Sequence, residues 1–194
     1  GTLSNQVNLI DSTNLDGAMR LAVSPDGKNV YAVAQLADSL VHWDRDSATG
    51  ALTNQVNLKD SNNLQDVYSV TVSPDGKNVY AVALTSKAIV YWDRDFTTGG
   101  LSNQVNLIDS TNLDAAICVT VSPDGKNVYA VAITSNSIVH WDRDTATGAL
   151  SNQVNLIDST NLKGVKAVVV SPDGNNVYAV ARDSDSIVHW DRDS

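Results

Sequence analysis

An all-β propeller of four blades is the fold class that three features of this 194-residue sequence predict. A stretch of alternating residues is written four times at a spacing of 49, over Val23 to Ala34, Val72 to Ala83, Val121 to Ala132 and Val170 to Ala181, and self-similarity at a fixed period marks a repeated supersecondary unit. Short runs rich in Val, Ile, Tyr and Trp are separated by Gly, Asn, Asp and Ser, and no window sustains a 3.6-residue apolar period. The third feature is the complementarity of the two ends, reached once the elements are placed.

The chain opens with Leu3 to Ile10, where Leu3, Val7 and Leu9 alternate with Ser4, Gln6 and Asn8, the pattern of a strand with one buried and one wet face. Asp11 to Gly17 is a cluster of turn-forming residues and reads as a loop. Ala18 to Ser24 and its later copies, Val67 to Ser73 and Val165 to Ser171, are short and β-branched, which predicts a strand buried on both faces. In Ser24-Pro25-Asp26-Gly27 the proline presets φ and the glycine takes the φ that L-residues resist, so a tight hairpin into Asn29 to Ala34 follows. After a variable loop at Gln35 to Asp38 comes a third strand, Ser39 to Asp46. Ser47 to Gly50 then turns the chain into Leu52 to Leu58, a copy of the opening strand.

Each repeat is therefore a four-stranded antiparallel meander, and radial repetition of such meanders hides most strand edges. Repeat four stops after its third strand, Ser186 to Asp193, whereas Leu3 to Ile10 has no third strand before it. Pairing the two would close the ring within one blade, a velcro closure; the alternative is that the chain is half of an eight-bladed ring made by two copies. Residues 1–194 read as one domain, with repeats starting near residues 3, 52, 101 and 150.

The blade Val-Ser-Pro-Asp-Gly-Lys-Asn-Val-Tyr, followed by Ser-Ile-Val-His-Trp-Asp-Arg-Asp and Thr-Gly-Ala-Leu, resembles the YVTN and lactonase-like propeller repeats. Its SPDG turn and the dipeptides Trp43-Asp44, Trp92-Asp93, Trp141-Asp142 and Trp190-Asp191 also resemble the WD40 repeat, although the Gly-His dipeptide of that family is missing. The resemblance covers the whole chain and implies a propeller scaffold, one that hosts many functions, with lactone hydrolysis among them.

A net charge of −9, with every acidic residue an aspartate, disfavours nucleic acid and anionic membrane surfaces as partners and suits a neutral small ligand, a glycan, or a protein. Cys118 is the single cysteine, so no intrachain disulfide forms, and it reads as a small packing residue rather than a reactive thiol. Neither a signal peptide nor an apolar run of membrane-spanning length is present, no Asn-x-Ser/Thr glycosylation acceptor occurs, and the compartment stays open, secretion included.

His42-x-Asp44-x-Asp46 recurs as His140/Asp142/Asp144 and His189/Asp191/Asp193, with Tyr91 replacing histidine in repeat two. Side chains spaced along one strand do not converge on a metal unaided, so neither a metal nor a cofactor is expected. No nucleophile elbow is present, and near-identical blades offer few of the dissimilar residues a catalytic centre draws together. The sequence therefore reads as a non-enzymatic binding module.

Differences between repeats concentrate at two places: the loop and start of the first strand (Asp16, Met19, Arg20 and their copies, including Tyr68 and Lys166) and the loop after the second (Gln35 and its copies, including Arg182). An up-down blade puts both at one end, so one rim is variable and the other uniform. Unchanged between the copies on that rim are Asp11 with Asn14, Asp60 with Asn63, Asp109 with Asn112 and Asp158 with Asn161, whose paired donors and acceptors suit sugar hydroxyls. The expected function is multivalent carbohydrate recognition by these residues, monomeric or as a homodimer, with a lactonase-like hydrolase or a protein-interaction scaffold as alternatives.

Overall fold

The computed structural model describes residues 1–193, which contain fifteen strands and no helix. Blade one holds β1 (Ala18–Val23), β2 (Asn29–Ala34), β3 (Ser39–Arg45) and β4 (Leu52–Lys59). Blade two holds β5 (Val67–Val72), β6 (Asn78–Ala83), β7 (Ala88–Arg94) and β8 (Leu101–Ile108), and blade three holds β9 (Ala116–Val121), β10 (Asn127–Ala132), β11 (Ser137–Arg143) and β12 (Leu150–Ile157). β13 (Val165–Val170), β14 (Asn176–Ala181) and β15 (Ser186–Asp191) make blade four. Every sheet is an antiparallel meander in sequence order, so the all-β fold of four repeated blades is as the sequence predicts.

The SPDG turn works as its chemistry requires. Gly27 sits at φ +70°, the Gly27 amide donates to the Ser24 carbonyl at 2.8 Å, and Ser24 Oγ both donates to Asp26 and accepts from the Asn29 amide. The same bonds recur at Ser73 and Ser122.

Two irregularities per blade shape the sheet. The first-to-second strand pairing skips Met19, Tyr68, Ile117 and Lys166, each a one-residue bulge at the start of an inner strand. The third-to-fourth pairing breaks at Trp43, Trp92 and Trp141, opposite Asn54, Asn103 and Asn152, which take positive φ near +50°. Bulges bend the strand and add right-handed twist, as successive blades of a propeller need.

Blades stack through one repeated interface. The second- and third-strand residues Tyr31, Val33 and Leu40 of blade one pack on Leu64, Val67, Val70 and Trp92 of blade two, and the arrangement repeats with Tyr80, Val82 and Ile89 and again with Tyr129, Val131 and Ile138. Above this apolar layer a buried arginine clamps the blades. Arg94 donates to Asp26, Asn29 and Tyr31 of the preceding blade, Arg143 to Asp75, Asn78 and Tyr80, and Arg192 to Asp124 and Asn127. Tyr31 in turn donates to the Gly99 carbonyl at 2.7 Å.

The velcro closure does not form. Blade four has three strands among the described residues, residues 3–10 form no strand, and Leu3, Val7 and Ile10 are 98, 83 and 89% exposed. Inner strands touch in sequence, β1 with β5, β5 with β9 and β9 with β13, and the blades make an open row. The angle between blades is set by the interface, not by the strands that repetition reveals, so complementary ends in the sequence do not decide whether four blades complete a turn.

Candidate functional site

The variable rim is where the fold gathers its dissimilar side chains. The two loops of each blade meet there: the Gln35 amide donates to the Gly17 carbonyl at 2.9 Å, and Ser39 Oγ donates to the Asn14 carbonyl at 2.5 Å. On this rim stand the four bulged residues, Met19, Tyr68, Ile117 and Lys166, on consecutive inner strands. A bulge re-aims a side chain, and bulges are frequent beside active sites. Arg20 is exposed, whereas its counterparts Ser69 and Cys118 are buried and point along the row: Ser69 Oγ accepts from the Val119 amide, and the Cys118 thiol faces the Val168 carbonyl. The packing role read for Cys118 matches that position.

Charge on this rim is arranged in pairs. Asp66 accepts from Gln35 Nε2 at 3.2 Å and from Thr85 Oγ1, and Lys87 pairs with Asp114 at 3.0 Å. Blade four is the basic sector: Arg182 binds Asp183 at 2.6 Å, and this bond together with the nearby Lys166 and Lys163 charges holds the Asp183 carboxyl below the usual carboxylate range. Asp16, exposed, engages no side chain among the described residues.

The uniform Asp and Asn residues, expected to clasp sugar hydroxyls, bond to one another and to the outer strands. Asp11 accepts from the Thr13 and Asn14 amides, from Asn14 Nδ2 at 2.7 Å and from Gln55 Nε2 at 2.7 Å, and these bonds depress its pKa. Asn63 donates its Nδ2 to Asp60 at 2.8 Å, and Gln104 completes that carboxylate's bonds. Asn112 does the same to Asp109 at 2.8 Å, with Gln153 as the second donor. Asn161 donates to Asp158 at 2.8 Å, and no glutamine joins this pair among the described residues. Each of the amides of Asn14, Asn63, Asn112 and Asn161 thus donates to the carboxylate three residues before it, Asp11, Asp60, Asp109 or Asp158, a bracing bond beside the ligand-binding role expected of these residues. These are Asx-type braces of the crossing between blades.

His42 lies buried between blades one and two, 5.6 Å from the Tyr31 ring, and burial lowers its pKa. Its Nδ1 and that of His140 are buried without a partner among the described residues. Asp44 and Asp46 turn to separate tasks: Asp44 accepts from Asn29 and Asn54, and Asp46 caps the turn to Thr49. A cleft of about 320 Å³ lies between blades three and four, lined by Tyr129, Ile138, His140, Leu156, Trp190 and Arg192.

The structure thus brings Asp16, Arg20, Tyr68, Lys166 and Arg182 to one rim and ties the four Asp and Asn pairs into the loops beneath them. Sequence reasoning missed the arginine clamp and the bulges. The clamp had a signal in the Asp-Arg-Asp that all four repeats share; the bulges had none, because register is invisible in a single strand's pattern.

Repeated four-stranded blades stacked face to face and clamped by arginines define a β-propeller chain. Comparison with known families places it further: the family described as "Lactonase, 7-bladed beta-propeller" matches residues 3–121 and 108–194, so the chain belongs to that lactonase propeller family. No curated protein matches it in sequence. Among solved structures it is similar to a protein of Bacteroides uniformis assigned as a 6-phosphogluconolactonase (21% identity, TM-score 0.76, covering 91% of this chain and 50% of that one). It is also similar to the periplasmic gluconolactonase of Pseudomonas aeruginosa (18%, TM-score 0.71, 89% and 52%) and to the hydrazine synthase of Kuenenia stuttgartiensis (21%, TM-score 0.67, 98% and 49%). At these identities the likeness is one of fold, and the chain spans about half the length of these structures.

The comparisons overturn the expected carbohydrate lectin. The family is a lactonase family, and two of the similar structures are named for gluconolactone hydrolysis, which favours the hydrolase alternative. Uniform blades had suggested multivalency, but uniformity here serves the stacking interface.

Proposed function

We propose that this protein takes part in hydrolysis of a sugar-derived lactone, with the variable rim as the substrate face. The observation that carries the reading is the lactonase family match, which spans nearly the whole chain. Lactone opening adds water to the carbonyl carbon, breaks the acyl C–O ring bond and releases a hydroxy acid. Its demands are a carboxylate to take the proton from water and donors to stabilise the developing oxyanion. The rim supports both: Asp16 is an exposed carboxylate that engages no side chain among the described residues, and Arg20 and Lys166 are donors, with Tyr68 as a flanking hydroxyl. The Lys163, Lys166 and Arg182 sector of an otherwise acidic chain suits an anionic substituent, such as the phosphate of a phosphogluconolactone.

Proton release on mixing the protein with δ-gluconolactone and with its 6-phosphate tests the reading. Faster opening than in buffer, greatest for the phosphorylated lactone, is expected. Equal rates with and without protein for every lactone would remove it.

A further inference from the structure

The row of blades ends in two faces that are complementary to each other. Each internal interface joins a leading face, made by a tyrosine, a valine and a leucine or isoleucine, to a trailing face made by the next blade's inner strand and its arginine. In blade four the leading face is Tyr178, Val180 and Ile187, and Ile187 is 70% exposed where its counterparts Leu40 and Ile138 are at most 3%. On blade one the trailing face is uncovered: Leu21 and Val23 are exposed, and Leu15 is half-exposed although its counterparts Leu64, Leu113 and Leu162 are buried.

The polar groups agree residue by residue. Arg45, counterpart of the three clamping arginines, binds only the Gly27 carbonyl of its own blade among the described residues, while Asp173, Asn176 and Tyr178 lack there the arginine that Asp26, Asn29 and Tyr31 have. Trp43, Trp92 and Trp141 donate to Gln55, Gln104 and Gln153 at 3.1 Å; among the described residues Trp190 has no such acceptor, and Gln6, the remaining copy of that glutamine, bonds only to Asn8. Asp158 is the brace that no glutamine reaches among those residues. The cleft between blades three and four holds Tyr129, whose counterparts donate to Gly99 and Gly148, and the matching glycine of the repeat is Gly1. Asn5 already holds φ +54°, the value of the bulge asparagines Asn54, Asn103 and Asn152.

We propose that two copies of this chain associate end to end, the leading face of blade four in each receiving blade one of the other. In this assembly residues 3–10 of one copy form the fourth strand on β15 of its partner. Extending the pairing of Ile138 with Leu156 and of His140 with Val154 by one repeat sets Ile187 opposite Leu9 and His189 opposite Val7. Arg45 then clamps Asp173 and Asn176, Gln6 bridges Trp190 and Asp158, and Gly1 enters the cleft. An edge strand with exposed apolar residues is the surface that strand addition covers. Two such heterologous contacts close a two-fold ring and leave no free end.

Light scattering during gel filtration reads the mass directly: twice the 20.7 kDa of one chain is expected. Arg45→Asp and Asp173→Arg should each give monomer, and the two together in one chain should restore the dimer. A wild-type monomer, an open-ended series of larger species, or a double variant that stays monomeric would overturn the proposal. A second measurement does not depend on those charges. With Cys118→Ala, the pair Leu9→Cys and Ile187→Cys should cross-link between chains on oxidation, doubling the mass on a denaturing gel. A cross-link within one chain, or none, would contradict it.

Discussion

Arg94 of blade two donates from one terminal nitrogen to both carboxylate oxygens of Asp26 in blade one, at 3.1 and 2.9 Å, with the guanidinium fully buried. The same nitrogen reaches Asn29 at 2.6 Å, and Nε reaches Tyr31 at 2.9 Å. One side chain thereby ties the turn, the second strand and, through Tyr31, the Gly99 turn. Against the desolvation that works the other way, the bonds from Ser24 and Arg94 hold Asp26 down to about 2, and burial pushes Tyr31 up to about 12.

Removing one partner of this clamp leaves a buried charge uncompensated, which is far costlier than the pair is stabilising. Asp75→Asn, which strips the carboxylate from Arg143, is expected to lower stability by about 3 kcal/mol. Urea denaturation followed by tryptophan fluorescence measures it. A loss below about 0.5 kcal/mol, the size of a surface pair, would show that Arg143 does not depend on Asp75.

Gly148→Ala tests how tightly the turn is held. A Cβ there would lie 2.2 Å from Asn78 Nδ2, and Asn78 cannot swing aside because Arg143 binds its Oδ1 at 2.6 Å. Gly27→Ala is the matched control, with φ +70° against +78° and only the Arg45 guanidinium near its Cβ, at an ordinary 3.6 Å. The control should lose about 1–2 kcal/mol from backbone strain alone, and Gly148→Ala roughly 2 kcal/mol more. Equal losses would mean that the Asn78 side chain yields.

Acid should weaken the protein in two stages. Burial lowers the His42 and His140 pKa below 6.5, so the unfolded chain takes up protons first: stability is full above about 6.5 and declines as pH falls below it. Asp26 and Asp124, at about 2 when folded against 3.8 unfolded, contribute fully above 3.8 and lose that contribution as pH falls toward 2. Replacing both histidines with tyrosine, as Tyr91 stands in blade two, also removes their unpartnered Nδ1 atoms. Melting temperature between pH 7 and 5 should then be nearly flat; an unchanged decline would place the first stage elsewhere.

The fold was legible because its signals are local. Period-two alternation, the SPDG hairpin and the Ser47 to Gly50 turn each dictate geometry within a few residues, and repetition multiplied them. Closure was not legible: Leu3 to Ile10 carries a strand pattern yet lies unpaired, since its partner edge is set by inter-blade geometry. On the site, comparing the copies located the rim where Arg20, Tyr68, Lys166 and Arg182 stand. Asn14, Asn63, Asn112 and Asn161 looked like ligand residues because a brace and a sugar clasp use the same donors and acceptors. Their bonds to the preceding aspartates show the bracing role, and family membership, which lies in the spread of a pattern across many proteins, turned the reading from lectin to lactonase.

The central claim, that the variable rim carries lactone chemistry, is tested most directly by steady-state hydrolysis of 6-phosphogluconolactone with Lys166→Ala and, on the outer strand, Asn106→Ala. Turnover by the wild type is predicted, with at least a tenfold loss of kcat/KM for Lys166→Ala and no change for Asn106→Ala. Wild-type turnover that survives Lys166→Ala undiminished, or no turnover above the spontaneous rate, would contradict it.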